Sequence, residues 1–315
     1  MPMVAMPPRA LCITRNATLR RTLQRTLKGA GSSVEFIDEL SQERANGAAL
    51  ILIDQDCRRS SDPDVMGLVG EGGKIIILGE SLEDDDVVEF IRALPMNHVI
   101  SDTKAPDESE LVVTCVKLLS GDIFGLQKYL AWGTEVHEST IGTYEQKRIA
   151  LFEVARHAAE LGARRQIISK IECVADELLM NALYDAPAVR NGVSRRSRIV
   201  KTSGDELPGD DVALLRYACD GRYFALSVED HYGELHKETI LDHLTRARAE
   251  KGRPKECESG NEGAGLGLYF ILSSVTCFIL NIEFGRRTEV ICLFDMRLRG
   301  RETDSCARSL HIFSR

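Results

Sequence analysis

Paired C-x-x-C spacings are missing from this chain: its nine cysteines are scattered, which excludes both a zinc-binding frame and a disulfide scaffold. Cys12, Cys115, Cys173 and Cys292 fall among apolar neighbours and read as small buried hydrophobes of a reduced, cytoplasmic protein. No uninterrupted apolar run approaches a membrane span. The stretch from Met1 to Pro8 is short, proline-bearing and without a basic flank, so it is not expected to act as a signal peptide. Positive charge is not in excess either. A net charge of −8 argues against a non-specific grip on nucleic acid or anionic lipid, and neither is expected as a partner. What is present is ordinary for a globular protein, with 43% hydrophobic and 28% charged residues, and 315 residues can build two domains with their own cores.

One stretch organises the rest. Ile167, Ile171, Val174, Leu178 and Ala182 recur at three- and four-residue steps, the signature of an amphipathic helix. Glu177 and Asn181 are four apart and stack a carboxylate above a carboxamide on one face. A carboxylate can orient or deprotonate a nucleophile, and an amide oxygen is a hard ligand suited to Mg²⁺. Taken alone, such a pair is the wet face of a helix; chemistry requires a nucleotide for it to work on.

The first domain is expected over residues 9–120. Short apolar runs at Ala10–Thr14, Val34–Ile37, Ala48–Ile53, Lys74–Leu78 and His98–Ile100 alternate with amphipathic helices, and unbroken apolar strands imply a parallel sheet covered on both faces. The expected fold is a doubly wound, flavodoxin-like α/β domain. The pattern resembles a response-regulator receiver domain of two-component systems. Asp54 matches the receiver's phosphoacceptor position and Lys104 its lysine, with Ala105 in place of the usual proline. The acidic pair that holds Mg²⁺ in receivers is replaced by Thr14-Arg15-Asn16, and Gly79 stands where a hydroxyl is usual. Asp54 therefore reads as a vestigial phosphoacceptor, with Arg15 supplying positive charge where the metal would sit, and the domain as a docking or dimerisation surface.

Residues 121–144 read as an ordered connector in which Tyr129 and Trp132, the only tryptophan, anchor a contact. A helix follows from Glu145 to Leu161, with Ile149, Phe152, Ala155 and Ala159 along one side. Neither His137 nor His157 carries the arginine and proline flanks of a sensor-kinase phosphoacceptor histidine, which counts against a histidine autokinase.

The second domain is expected over 145–300, with 301–315 as a C-terminal tail. Arg190, Arg195, Arg196, Arg198 and Lys201 form a basic loop. Two antiparallel strands turn at Cys219-Asp220-Gly221, and the second leads into Asp230-x-x-Gly233, an arrangement suited to an adenine pocket: the carboxylate accepts from the exocyclic amine and the glycine lets the backbone approach. After a helix from Lys237 to Ala249, the tract Glu250 to Asn261 has the composition of a lid. Gly263-Ala264-Gly265-Leu266-Gly267-Leu268 then opens a hydrophobic helix whose amides can face phosphates. It lacks the Gly-Lys-Ser/Thr ending of a Walker A loop. A closing pair of strands carries Thr288.

In this order, Glu177-x-x-x-Asn181, Asp230-x-x-Gly233, the glycine turn and Thr288 resemble the N and glycine boxes of the GHKL ATPases, which have an α/β-sandwich (Bergerat) fold. The resemblance implies ATP and Mg²⁺ as cofactors. It implies Asn181 as metal ligand, Glu177 as the catalytic residue orienting the nucleophile, and Asp230 on the adenine amine. Gly263, Gly265, Leu266 and Gly267 would lie at the phosphates, with Thr288 helping to hold the base. In place of the usual D-x-G-x-G, Tyr232 and Glu234 occupy the glycine slots and Gly233 lies between them. The run Asp176-Glu177-Leu178-Leu179-x-Asn181-Ala182, without a histidine hairpin, most resembles the anti-sigma-factor serine kinases. An ATP-binding cytoplasmic regulator with serine kinase activity on a protein partner, such as an anti-sigma-antagonist-like substrate, is therefore expected. A homodimer is a further expectation. A non-catalytic nucleotide-dependent switch and a histidine-kinase-like phosphorelay component are the alternatives.

Overall fold

The computed structural model describes residues 6–61, 66, 74–82, 84–94, 96–101, 107–187, 212–249, 266–298 and 308–315. The chain is mixed α/β and forms two compact units, Met1–Ile123 with Arg308–Phe313, and Phe124–Ala307 with Ser314–Arg315.

In the first unit, β1 (Arg9–Ile13), β2 (Ser33–Ile37), β3 (Leu50–Asp54), β4 (Ile75–Leu78) and β5 (His98–Ile100) pair in parallel in the order β2-β1-β3-β4-β5. Between them run α1 (Ala17–Gly29), α2 (Gln42–Ala45), α3 (Gln55–Arg59) and α4 (Asp85–Ala93), and α5 (Glu108–Ser120) follows. Side chains alternate across a strand, so runs such as Leu50–Ile53 are stable only when both faces are covered. Cys12, Leu52 and Ile76 pack with Leu23 and Leu27 of α1 and Leu111 and Cys115 of α5. The intervening Leu11, Ile13, Ile53 and Ile77 are equally buried.

The expected C-terminal tail contains a strand. Ser309–Ser314 pairs antiparallel with β5, His311 opposite His98, and Leu310, Ile312 and Phe313 are buried. His311 Nε2 lies 2.8 Å from Glu110 Oε1, and the Lys117 ammonium sits 3.9 Å from the centre of the Phe313 ring. Its alternation is too brief to stand out in sequence, and its pairing with β5 shows it as a strand.

In the second unit, the connector contains a 3-10 turn (Leu126–Tyr129) and an edge strand β6 (His137–Ile141). Then come α6 (Tyr144–Glu160), α7 (Arg165–Met180), β7 (Ala213–Cys219), β8 (Tyr223–Asp230), α8 (Lys237–Ala249), α9 (Leu266–Ser274), β9 (Cys277–Glu283) and β10 (Arg287–Asp295). The strands pair antiparallel in the order β9-β10-β8-β7-β6. Helix α7 packs on β8 and β10, and α6 and α9 pack on α7. On the sheet face away from α7, buried Glu289 accepts from Asn281 Nδ2 at 2.9 Å and from Gly125 N–H at 2.8 Å, so the connector is stitched to the strands.

Three expectations are corrected. Helix α6 buries Ala150, Val154 and Ala158, with Lys147, while Ile149 and Phe152 are exposed. Small side chains let α6 approach α7 closely, and Lys147 Nζ reaches Asp176 of α7 at 2.7 Å. Trp132 is fully exposed and anchors nothing within its unit, whereas Tyr129 is buried. Cys173, read as a buried hydrophobe, is exposed on α7.

Candidate functional site

A pocket in the second unit holds about 860 Å³ of empty space, open solvent at its mouth included. Val228 and Asp230 of β8 and Val290 and Thr288 of β10 form its floor. Thr288 lies opposite Asp230 and Val290 opposite Val228, so the strand period points all four to one face. One wall is a helical stripe, Glu177, Leu178, Asn181, Ala182, Asp185 and Ala186. The other wall combines Glu234, Leu235, Thr239 and His243 with Gly267 and Leu268 at the start of α9.

Helix α7 ends in a π-turn over Asn181–Asp185, where the Ala186 N–H donates to the Asn181 carbonyl. Such wide turns recur at functional sites because they redirect side chains without ending the helix. Here the turn brings Asn181 and Asp185 to the same pocket wall. Beside them, a Cβ on Gly267 would overlap the carboxylate of Glu177, so a larger residue at the start of α9 would push that side chain aside.

Asp230 is nearly buried, and its Oδ1 accepts from the backbone N–H of Tyr232 at 2.8 Å and of Gly233 at 3.3 Å. Burial pushes its carboxyl up to about 6, against those backbone donors, which favour the charged form. The Thr288 hydroxyl is buried and has no hydrogen-bond partner among the described residues. A buried polar group left unpaired costs free energy, so an orphan hydroxyl beside a pocket invites a ligand.

Glu177, Asn181, Asp230, Gly267 and Thr288 thus converge from well-separated parts of the chain. Gly233 does not line the pocket. Its φ is +69°, and its α-carbon faces the Glu283 carbonyl and the Gly285 and Arg286 amides at the β9–β10 turn. A side chain there would collide with that backbone, so glycine is needed where the end of β8 passes the turn. Gly263, Gly265, the Leu266 side chain, Lys104, the basic loop Arg190–Lys201 and the tract Glu250–Asn261 lie outside the described residues.

Asp185, Glu234, Thr239 and His243 also line the pocket and were missed. Asp185 continues the four-residue step from Glu177 and Asn181, and Thr239 and His243 share that step on α8, so helical spacing carried the signal. Glu177, Asp185, Asp230 and Glu234 make the pocket acidic, and no lysine or arginine is among its described lining residues.

In the first unit Asp54 stands at the end of β3. Its Oδ2 accepts from the Thr14 hydroxyl, and its Oδ1 accepts from the Cys57 N–H at 2.8 Å, capping α3. Both oxygens are engaged by the protein. Arg15 lies 3.6 Å from Glu39, and its charge also acts on the Cys57 thiol beside Asp54. Burial, then the Asp54 carboxylate, pushes the Cys57 thiol up to about 11, so this thiol is not a nucleophile at neutral pH.

His157 lies in an aromatic cluster, 4.5 Å from the His137 ring and 5.4 Å from the Tyr217 ring, and burial lowers its pKa. Among the described residues no helix is long and apolar enough to cross a membrane. No family model matches the chain, and no curated protein matches it.

Proposed function

We propose that the second unit binds a purine nucleotide with a divalent cation, as an ATP-dependent regulator of the GHKL type that acts on a protein partner. The observation that carries this is the convergence of Glu177, Asn181, Asp230, Gly267 and Thr288, from well-separated parts of the chain, on one pocket. The residues fit such a ligand. Asp230 offers a carboxylate to an amine donor, and the orphan Thr288 hydroxyl beside it offers a donor and an acceptor. On the wall, Glu177, Asn181 and Asp185 supply hard oxygen donors of the kind Mg²⁺ takes. When bound, the metal would neutralise phosphate charge that this acidic pocket otherwise repels. Asn181 would hold it, and Glu177 would orient an incoming hydroxyl or water and accept its proton.

The parallel order β2-β1-β3-β4-β5 is that of doubly wound flavodoxin-like domains, which supports the receiver-like reading of the first unit. Engagement of both Asp54 oxygens favours a docking module over a phosphoacceptor.

A second reading, a nucleotide-occupied switch without transfer, is favoured by the departure at Gly233. Incubation with γ-labelled ATP and Mg²⁺, with and without candidate partner proteins, separates them. Label on a partner serine that disappears in Glu177→Ala establishes the kinase. Binding without transfer or hydrolysis establishes the switch. A folded protein that binds no nucleotide refutes both.

A further inference from the structure

Two histidines of the second unit meet outside the pocket. His137 of strand β6 and His157 of helix α6 stand 4.5 Å apart between ring centres, at an interplanar angle of 65°. Tyr217, which pairs with His137 in the register of β6 and β7, backs both rings, 5.0 Å from His137 and 5.4 Å from His157. Tyr217 in turn stacks on the buried Phe224, so the two imidazoles rest on a fixed aromatic base.

Both histidines are half-buried, and no described residue hydrogen-bonds to either ring. A phenyl ring would make the same ring contacts without two polar nitrogens to hydrate. Burial, then His137, lowers the pKa of His157, while Glu160 and Glu135 raise it and Arg156 lowers it. The net downward direction keeps the ring neutral at physiological pH, the form in which imidazole ligates a metal. Two imidazoles on one tetrahedral ion, each with a metal–nitrogen distance of about 2.0–2.1 Å, have ring centres about 5 Å apart. His137 and His157 stand close to that spacing.

Carboxylates lie on the same flank. Glu153 and Glu160 stand four residues before and three after His157, which at 100° per residue places both on one side of it. Burial raises the Tyr217 pKa, and the charges of Glu153 and Glu160 add to it, so that side faces the cluster. Their partner is Arg156 on the same helix, and exposed pairs of this kind exchange readily.

We propose that His137 and His157 form a site for a transition-metal dication of the Zn²⁺ class, with a carboxylate of Glu153 or Glu160 and water completing the shell. Imidazole nitrogen suits such ions and not Mg²⁺, so the site differs in chemistry from the oxygen-lined pocket wall. The bound ion ties strand β6 to α6 and stabilises the unit by mass action. The site uses no cysteine and does not depend on what the pocket binds.

Competition with a chromophoric zinc chelator, on the full chain with Mg²⁺ in excess, tests it. Wild type is expected to take up one more Zn²⁺ than His137→Phe or His157→Phe, variants that keep an aromatic ring in each place. Its thermal midpoint should rise more with Zn²⁺ than that of either variant. Glu153→Gln/Glu160→Gln is expected to weaken the same site roughly tenfold. In wild type, Zn²⁺ should protect His137 and His157 from carbethoxylation by diethyl pyrocarbonate, mapped by mass spectrometry, a measurement that needs no substitution. Equal Zn²⁺ uptake or an equal thermal shift in wild type and either histidine variant would overturn the proposal. So would a carboxylate variant that binds as wild type does, or carbethoxylation of both histidines unaltered by Zn²⁺.

Discussion

Replacing Asp230 by asparagine separates what this carboxylate costs the empty protein from what it contributes to a bound one. Burial raises the folded-state pKa from 3.8 to about 6. Because the folded value is raised, the stabilisation belongs to the protonated form: it is fully present below the unfolded value and lost as pH rises through about 6. Keeping the charge at pH 8 costs up to about 3 kcal/mol relative to a neutral group. An asparagine keeps an acceptor for the Tyr232 and Gly233 N–H groups and avoids this cost. The variant is therefore expected to be more stable than wild type at pH 8, by as much as about 3 kcal/mol. At pH 5 wild type regains roughly 1 kcal/mol through proton uptake, and the gap narrows by that amount. Urea unfolding followed by far-UV circular dichroism measures both, since Trp132, fully exposed, is a poor reporter of this region. Other titrating groups are common to the two proteins and cancel. A gap that is the same at pH 5 and pH 8, or an asparagine variant less stable at pH 8, would refute the burial argument. Nucleotide affinity should fall at least tenfold in the same variant, by calorimetric titration.

Thr288→Val removes a buried hydroxyl that has no partner among the described residues, so the empty protein should gain about 1 kcal/mol in urea while nucleotide binding weakens about fivefold. Gly267→Ala drives a methyl group into the Glu177 side chain; the expected result is a folded protein with at least tenfold weaker Mg²⁺-dependent nucleotide binding, read by fluorescent-nucleotide titration with and without chelator. Asp54 has both oxygens engaged, so acetyl phosphate with Mg²⁺ should leave the intact mass unchanged. Asp54→Ala should lower stability by about 1 kcal/mol through the lost helix cap, and a phosphate adduct on wild type that disappears in this variant would contradict the capping role.

The elements that announced themselves in sequence are those whose neighbours are of one kind. Strands β1 to β5 read as apolar runs because both of their faces are covered, and α8 follows its apolar spacing from Lys237 to Ala249. Helix α6 was legible as a helix but its inward face was not. It carries apolar residues on both sides, and the choice between Ile149–Phe152 and Ala150–Val154–Ala158 depends on how close α7 must come. Strands β6 and Ser309–Ser314 were missed for a related reason, since a strand exists there only if a partner strand is available.

The candidate site divides in the same way. No one of Glu177, Asn181, Asp230, the glycine turn and Thr288 stood out by its type or spacing alone; their order along the chain, through its resemblance to the GHKL boxes, singled them out. Which of them meet was decided by strand register and helix packing. Thr288 faces Asp230 because β10 pairs antiparallel with β8 in that register, and Gly267 lies under Glu177 because α9 packs on α7. Gly233, which looked like part of a ligand site, is held to its place by the β9–β10 turn, and Asp54 by Thr14 and Cys57. The sequence by itself determined which residues are capable of chemistry. Only the tertiary structure, through the partners that consume or expose each polar group, decided which of them stand in the pocket with that capacity to hand.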